Sequence, residues 1–209
     1  MRSKESLSVE KALIDNQIET PMLKKDSNPE KLFQLEHHFS QILNLLNLDL
    51  TDDSLQDTPK RLSKMYANEL FYGMDYNNFP KITLINSFND DIVICKKIRL
   101  TSTCEHHFAP ITGYANIAYY PNKTIIGLSK LNRIVDFFAR RPQVQERLTK
   151  QILVALKEIL QTENVGVYIE ASHGCVKTRG ILDQESLTST ISLSGILKEK
   201  EEFYYNFLK

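Results

Sequence analysis

The chain has 209 residues, 42% of them hydrophobic and 25% charged, enough to bury the core of one globular domain with an appendage. Lys+Arg 26 against Asp+Glu 26 leaves no formal net charge, which argues against nucleic acid as a partner, since such binders carry a basic excess. No apolar run approaches the roughly 18 residues of a membrane span, so no membrane association is expected.

The opening "MRSKESLSVEKALIDNQ" has no apolar core of a secretory signal. The chain's three cysteines therefore suit a reducing, cytoplasmic setting in which thiols act as ligands rather than disulfides.

Residues 1–30 are polar, with Leu7, Leu13, Ile14 and Ile18 at weak helical spacing up to Pro21. They read as a partly helical N-terminal arm suited to docking on another surface. Residues 31–80 form a helical region. From Pro29 to Leu48, Leu32, Leu35, Phe39, Ile42, Leu43 and Leu46 recur at three- and four-residue steps, the mark of an amphipathic helix. "DTPKRLSKMYANELFYG" predicts a second, with Thr58 as N-cap, Pro59 in first position and Gly73 as the stop.

Residues 81–209 mix strands and helices. "KITLINSF", "DIVICKKIRL" and "TGYANIAYYP" alternate apolar and polar residues as strands do. Ser129 opens a helix holding Leu131, Ile134, Val135 and Phe138. "RRP" interrupts it, and a longer helix follows from Pro142 to Gln161 with Val144, Leu148, Ile152, Leu156 and Ile159 inside. "VGVYIEAS" is a strand leading into His173 and Cys175, and the tail from Ile181 contains a strand, "LTSTISLSG", and a short final helix. The fold class is α+β, a small antiparallel sheet of about five strands plus helices. Open edges of such a sheet are normally covered or paired, and a second copy of the chain is one way to pair them.

Two short segments, "LTSTCEHHFAP" and "EASHGCVKTRG", hold Cys104, His106, His107, His173 and Cys175, two of three cysteines and three of five histidines. Cys104 and His107 have the gap at which a turn presents both to one zinc ion, and Cys175 supplies a third ligand. Three protein ligands leave the fourth position to water, whose pKa then drops from about 15.7 to roughly 7. Spacing does not choose between His106 and His107: the first shares the Cys104 face if the segment is extended, the second if it turns. A polar, metal-free catalytic pocket is the rival reading. Cys95 reads as buried filler, and His37 and His38 as solvated helix surface.

Cations stand where helix dipoles disfavour them. Lys60, Arg61 and Lys64 follow Thr58-Pro59, Lys130 and Arg133 follow Ser129, and Lys177 and Arg179 follow Cys175. Exposed Lys and Arg are common on any helix, but this recurrence suits an anion of several charges that also takes backbone N–H groups, such as a phosphorylated small molecule. Glu105 and Glu146 are the acidic residues beside these segments. Glu146 is either an ordinary solvated residue or a carboxylate accepting from two adjacent N–H donors of a base.

Taken together, "STCEHH", "GLSKLNR", "RPQVQERLT" and "CVKTRG", in this order across roughly residues 45–198, resemble GTP cyclohydrolase type I. The resemblance implies a T-fold (tunnelling-fold) subunit in a decamer of two pentamers, with sites at subunit boundaries. It implies zinc-dependent opening of the GTP purine ring to 7,8-dihydroneopterin triphosphate and formate, the entry to folate or other pterins. Carried over, Cys104, His107 and Cys175 are zinc ligands, and His106 and His173 the acid/base histidines. His173 serves the purine imidazole nitrogen and His106 the opening ribose. Glu146 with Gln145 reads guanine, and Ser129 touches the sugar–phosphate end. Lys130, Arg133 and Arg179, with Arg61 and Lys64 from across the interface, clamp the triphosphate. Gly174, and "SLSG" near the C-terminus, depart from the family pattern as small local changes.

A base deaminase is disfavoured because H-x-E and C-x-x-C do not occur. The remaining rivals are a non-catalytic structural-zinc module, which leaves two histidines and the cations without a role, and a T-fold enzyme acting on another pterin or a deazapurine.

Overall fold

A computed structural model describes residues 2–23, 28–87, 90–199 and 207. It resolves into two compact units, Met1–Thr20 with Gly73–Lys209, and Pro21–Tyr72. Helix α1 (Lys4–Asp15) opens the first unit, capped by the Ser3 hydroxyl, which accepts from Ser6 N at 3.1 Å.

The second unit holds α2 (Lys31–Leu45) and α3 (Thr58–Lys64), packed on each other. α2 falls where the apolar spacing places it, with His37 and His38 exposed. The second predicted helix is shorter than its pattern. Beyond Lys64 the chain loosens into a π turn, Met65–Leu70, and a 3-10 turn, Tyr72–Met74. Asp57, not Thr58, stands at the cap position of α3, with Pro59 in the first turn.

The rest of the first unit runs β1 (Leu84–Asn86), β2 (Val93–Cys104), β3 (Pro110–Tyr119), β4 (Thr124–Ile126), α4 (Leu128–Ala139), β5 (Pro142–Gln143), α5 (Gln145–Leu160), β6 (Val165–His173), α6 (Gly174–Lys177) and β7 (Thr188–Leu193). β1 and β4 form a two-stranded antiparallel ribbon. The main sheet has the order β5-β2-β3-β6-β7 and is antiparallel except for β2 and β5. The chain is thus α+β, as expected. α4 lies on β2, and α5 lies on β6 and β7. Leu131, Ile134, Val135 and Phe138 of α4 and Leu148, Ile152 and Leu156 of α5 are fully buried, as are Ala115, Ile117, Val167 and Ile169 of the sheet. Each such large apolar side chain contributes about 1.5–3 kcal/mol of transfer free energy. α1 packs on α5 of its own chain through the buried Val9 and Leu13.

Two boundaries differ from the sequence pattern. Pro142 and Gln143 are not the start of the long helix. They pair in parallel with Thr103 and Cys104, and α5 begins at Gln145 after an extended Val144. A non-local strand partner wins there over local helical periodicity. β4, whose three residues pair only with β1, carries no alternation long enough to read. The expected final helix falls outside the described residues except for Phe207, which is buried against Ala118, Tyr168 and Leu197. Among the described residues no helix is long and apolar enough to cross a membrane.

Register decides where the chemistry gathers. Ser102 pairs with Ile111 and Ile111 with His173. The end of β2, the start of β3 and the end of β6 therefore meet at one edge of the sheet.

Candidate metal centre and active site

The turn between β2 and β3 is closed by Cys104 N donating to Ala109 O at 2.8 Å and Phe108 N donating to Cys104 O at 2.9 Å. Phe108 takes a left-handed φ of 51° to complete it. The buried Cys104 thus faces inward while His106 and His107 stand exposed on the turn. Their Nδ1 atoms lie 4.0 and 3.9 Å from Cys104 Sγ.

Cys175 arrives from β6 through α6. Gly174 permits this turn, because a Cβ there would meet Pro110 O at 2.9 Å and Pro110 Cδ at 3.0 Å. One donor atom each from Cys104, His107 and Cys175 lies within 4.8 Å of the others. Two thiols and an imidazole suit zinc, and three ligands leave a position open. Burial pushes the Cys175 thiol up, and its hydrogen bond and charge contact with Cys104 push the same way. Two thiols this close resist ionising together, a cost that a divalent cation reverses. The donor set fits the metal.

Arg179 Nη1 donates to His107 Nε2 at 2.9 Å. Guanidinium has donors only, so Nε2 holds the ring's lone pair in this arrangement.

His173 ends β6, with its Nε2 2.7 Å from Gln145 Oε1. Gln145 is buried, and its Nε2 donates to Ile169 O (3.1 Å), Thr188 O (2.9 Å) and Thr190 Oγ1 (3.1 Å). Those acceptors fix which end of the amide is oxygen. His173 Nε2 therefore carries the proton, and Nδ1 holds the lone pair of the neutral ring. Burial lowers the His173 pKa, and the negative charge of nearby Glu146 opposes that shift. Gln145 is thus committed inside the chain, while Glu146, one residue on, is exposed.

Glu105, between the two ligands of the turn, is held at both ends. Its N–H donates to Gln143 O at 3.0 Å, and its carboxylate accepts from Arg147 Nη2. Glu105 Oε1 also lies 3.8 Å from His106 Nε2. Arg147 is not among the sequence candidates, although a cation in the first turn of α5 is the same dipole-violating signal that marks Lys130.

The other candidates lie on α4 and α3. Ser129, Lys130 and Arg133 occupy the first two turns of α4, which has no acidic residue in its first turn. Among the described residues neither cation forms an ion pair. Arg61 and Lys64 lie on α3 of the second unit, where Arg61 pairs with Asp57 at 3.6 Å. Cys95 is half-buried on β2, roughly 30 Å along the strand from Cys104 at strand rise.

Comparison with known proteins agrees with this geometry. The family model described as GTP cyclohydrolase I matches residues 35–209. A protein named GTP cyclohydrolase 1 from Shewanella denitrificans is 55% identical over 207 residues, covering 98% of this chain and 95% of its own. Proteins of the same name from Yersinia enterocolitica and Shewanella sp. W3-18-1 are each 53% identical, covering 99% of this chain and 96% and 98% of their own. With a matched family model spanning both histidine–cysteine segments and relatives aligned from end to end, the chain belongs to the GTP cyclohydrolase I family.

Proposed function

We propose that the chain opens the purine ring of GTP with a resident zinc ion, releasing formate and giving 7,8-dihydroneopterin triphosphate for folate or pterin synthesis. The observation that carries this reading is the convergence of Cys104, His107 and Cys175 at the sheet edge that also presents His173. Bound there, zinc supplies an activated water at neutral pH, its pKa lowered from about 15.7 to roughly 7.

The protein's own groups handle the protons and the orientation. His173, tethered through Nε2 to Gln145, keeps Nδ1 as the atom that gives and takes a proton at the purine imidazole nitrogen. Burial lowers its pKa and the charge of Glu146 opposes that shift. His106, exposed on the turn with Glu105 beside it, serves the ribose oxygen as that ring opens. Glu146 accepts from the guanine N–H groups. Gln145 supports the purine end by orienting His173, since its own amide is engaged inside.

Ser129, Lys130, Arg133 and Arg179 take the sugar and triphosphate, joined by Arg61 and Lys64 of a neighbouring subunit. The cost of Lys130 against the α4 dipole is offset when the anion arrives, whereas Arg61 and Lys64 fall in the last turn of α3, where the dipole favours them. The fold is read as a T-fold, and the assembly as a homodecamer of two pentamers with its sites at subunit boundaries. Paired subunits would cover the open edges β5 and β7. Two thiol ligands fit a reducing, cytoplasmic location.

The test incubates purified protein with GTP and follows formate and, after oxidation, pterin fluorescence. Wild type, Cys175→Ala and a chelated sample run in parallel. Product from wild type and from neither control is expected. No product from a folded, zinc-loaded wild type would move the assignment to another reaction of the same site.

A further inference from the structure

A line of polar side chains runs from the N-terminal segment to the turn that carries the metal ligands. Gln151 Nε2 donates to Ile18 O at 2.7 Å and lies 3.2 Å from Thr20 Oγ1. Its Oε1 accepts from Gln143 Nε2 at 2.8 Å. Gln143 Oε1 in turn accepts from Arg147 Nε at 3.1 Å. The Arg147 guanidinium then closes the line by donating through Nη2 to the Glu105 carboxylate and to Pro142 O, the latter at 2.9 Å.

Both glutamines are 0% exposed. Neither amide can turn or shift without stranding a buried donor or acceptor on its neighbour, so the line moves as one piece. At its far end Glu105 is gripped by main chain and side chain alike. Cys104 precedes it and His107 lies two residues on. A residue clamped twice between two ligands fixes the angle at which both present their donor atoms, and groups that orient ligands in this way set metal affinity.

We propose that Arg147 is a positioning residue of the metal centre, acting through Glu105, and that Gln143 and Gln151 make the N-terminal segment Ile18–Thr20 part of the support of that centre. The metal assignment of the previous subsection underlies this inference, but the GTP reaction does not. Arg147 suits the task because one planar fork reaches Gln143, Pro142 and Glu105 at once. A lysine ammonium on a flexible stem reaches the carboxylate without holding the other two.

The test uses the full-length oligomer and measures zinc affinity by chelator competition, together with the visible absorption of the cobalt-substituted protein. Arg147→Met should weaken zinc binding about tenfold or more, the range for lost outer partners of metal ligands, and should alter the cobalt bands. Arg147→Lys should recover part of both. Gln151→Met, at the opposite end of the line, should shift both in the same direction by less. In GTP turnover the loss should fall on kcat more than on KM.

Wild-type zinc affinity and cobalt bands in a folded Arg147→Met protein would overturn the proposal. A wild-type Gln151→Met beside an affected Arg147→Met would remove the N-terminal segment from it. If Arg147→Met does not assemble, Glu105→Gln decides, with weakened zinc expected and wild-type affinity overturning the idea. A wild type that binds zinc but yields no formate would sink the GTP reading and leave this one standing.

Discussion

Gln145 shows how much one side chain can decide. Its oxygen faces His173, and its nitrogen bridges Ile169 of β6 with Thr188 and Thr190 of β7. Gln145→Leu keeps the volume, strands those acceptors and frees the imidazole to rotate or change tautomer. kcat should fall by about 10- to 100-fold, the range for lost orienting partners, with KM for GTP nearly unchanged. Steady-state kinetics checks the split, and an equal rise in KM would instead make Gln145 a contact for the base. The family resemblance implies that Gln145 and Glu146 form one guanine-reading pair. Which of two adjacent polar residues points inward is set by where α5 starts, and that start depends on β5 pairing with β2, a contact no local pattern announces. The histidines and cysteines were legible because a metal needs rare residue types in tight spacing. Gln151 was not, because a buried hydrogen-bond line has no composition of its own.

Among the elements, the long amphipathic helices were legible from their apolar period, and the short strands β4 and β5 were not, because two or three residues carry no period. The segment after α1 adds an energetic feature the pattern could not show. Arg141 is fully buried, with Tyr76, Phe137 and Phe138 ring centroids 4.7–4.9 Å from its guanidinium. Its carboxylate partner is Glu19, accepting from Nη1 at 2.6 Å, while Nε and Nη2 have no hydrogen-bond partner among the described residues. Glu19→Gln leaves that buried charge uncompensated and should cost about 3 kcal/mol or more in urea unfolding, whereas a neutral result would mean the aromatic rings suffice.

On the sheet, Tyr114 and Tyr168 hydroxyls donate to Glu170, and these bonds hold its carboxyl below the usual range. A depressed carboxyl pKa stabilises the fold above the ordinary value of 4.5, and that contribution disappears as pH falls through the folded-state value. Glu170→Gln should therefore melt below wild type at neutral pH, and the gap should close in acid. A gap that persists at pH 3, taken as roughly below the carboxylate range, would point to lost packing instead.

For the molecule as a whole, the three metal donors come from two points far apart in the chain, the β2–β3 turn and the start of α6. The unfolded chain does not hold these points together, so a metal taken by all three donors would bind the native state preferentially and stabilise it by mass action. Free zinc held at about 100 times its dissociation constant adds about 2.7 kcal/mol. In a chain of this size each kcal/mol moves the melting temperature by about 2–4 °C, so the rise on going from chelated to zinc-saturated protein should be about 5–11 °C. Scanning calorimetry at fixed protein concentration reads the shift across the series. Cys175→Ala should melt near the chelated wild type and respond little to zinc, because removing one ligand takes away the preference of the metal for the native state without touching the core of α4, α5 and the sheet. A wild-type melt indifferent to zinc would mean that the three donors do not act together on one ion, and the metal assignment would fall with it. A Cys175→Ala protein that still gains the full shift would move the site to other ligands, with His106 beside Cys104 the first to replace.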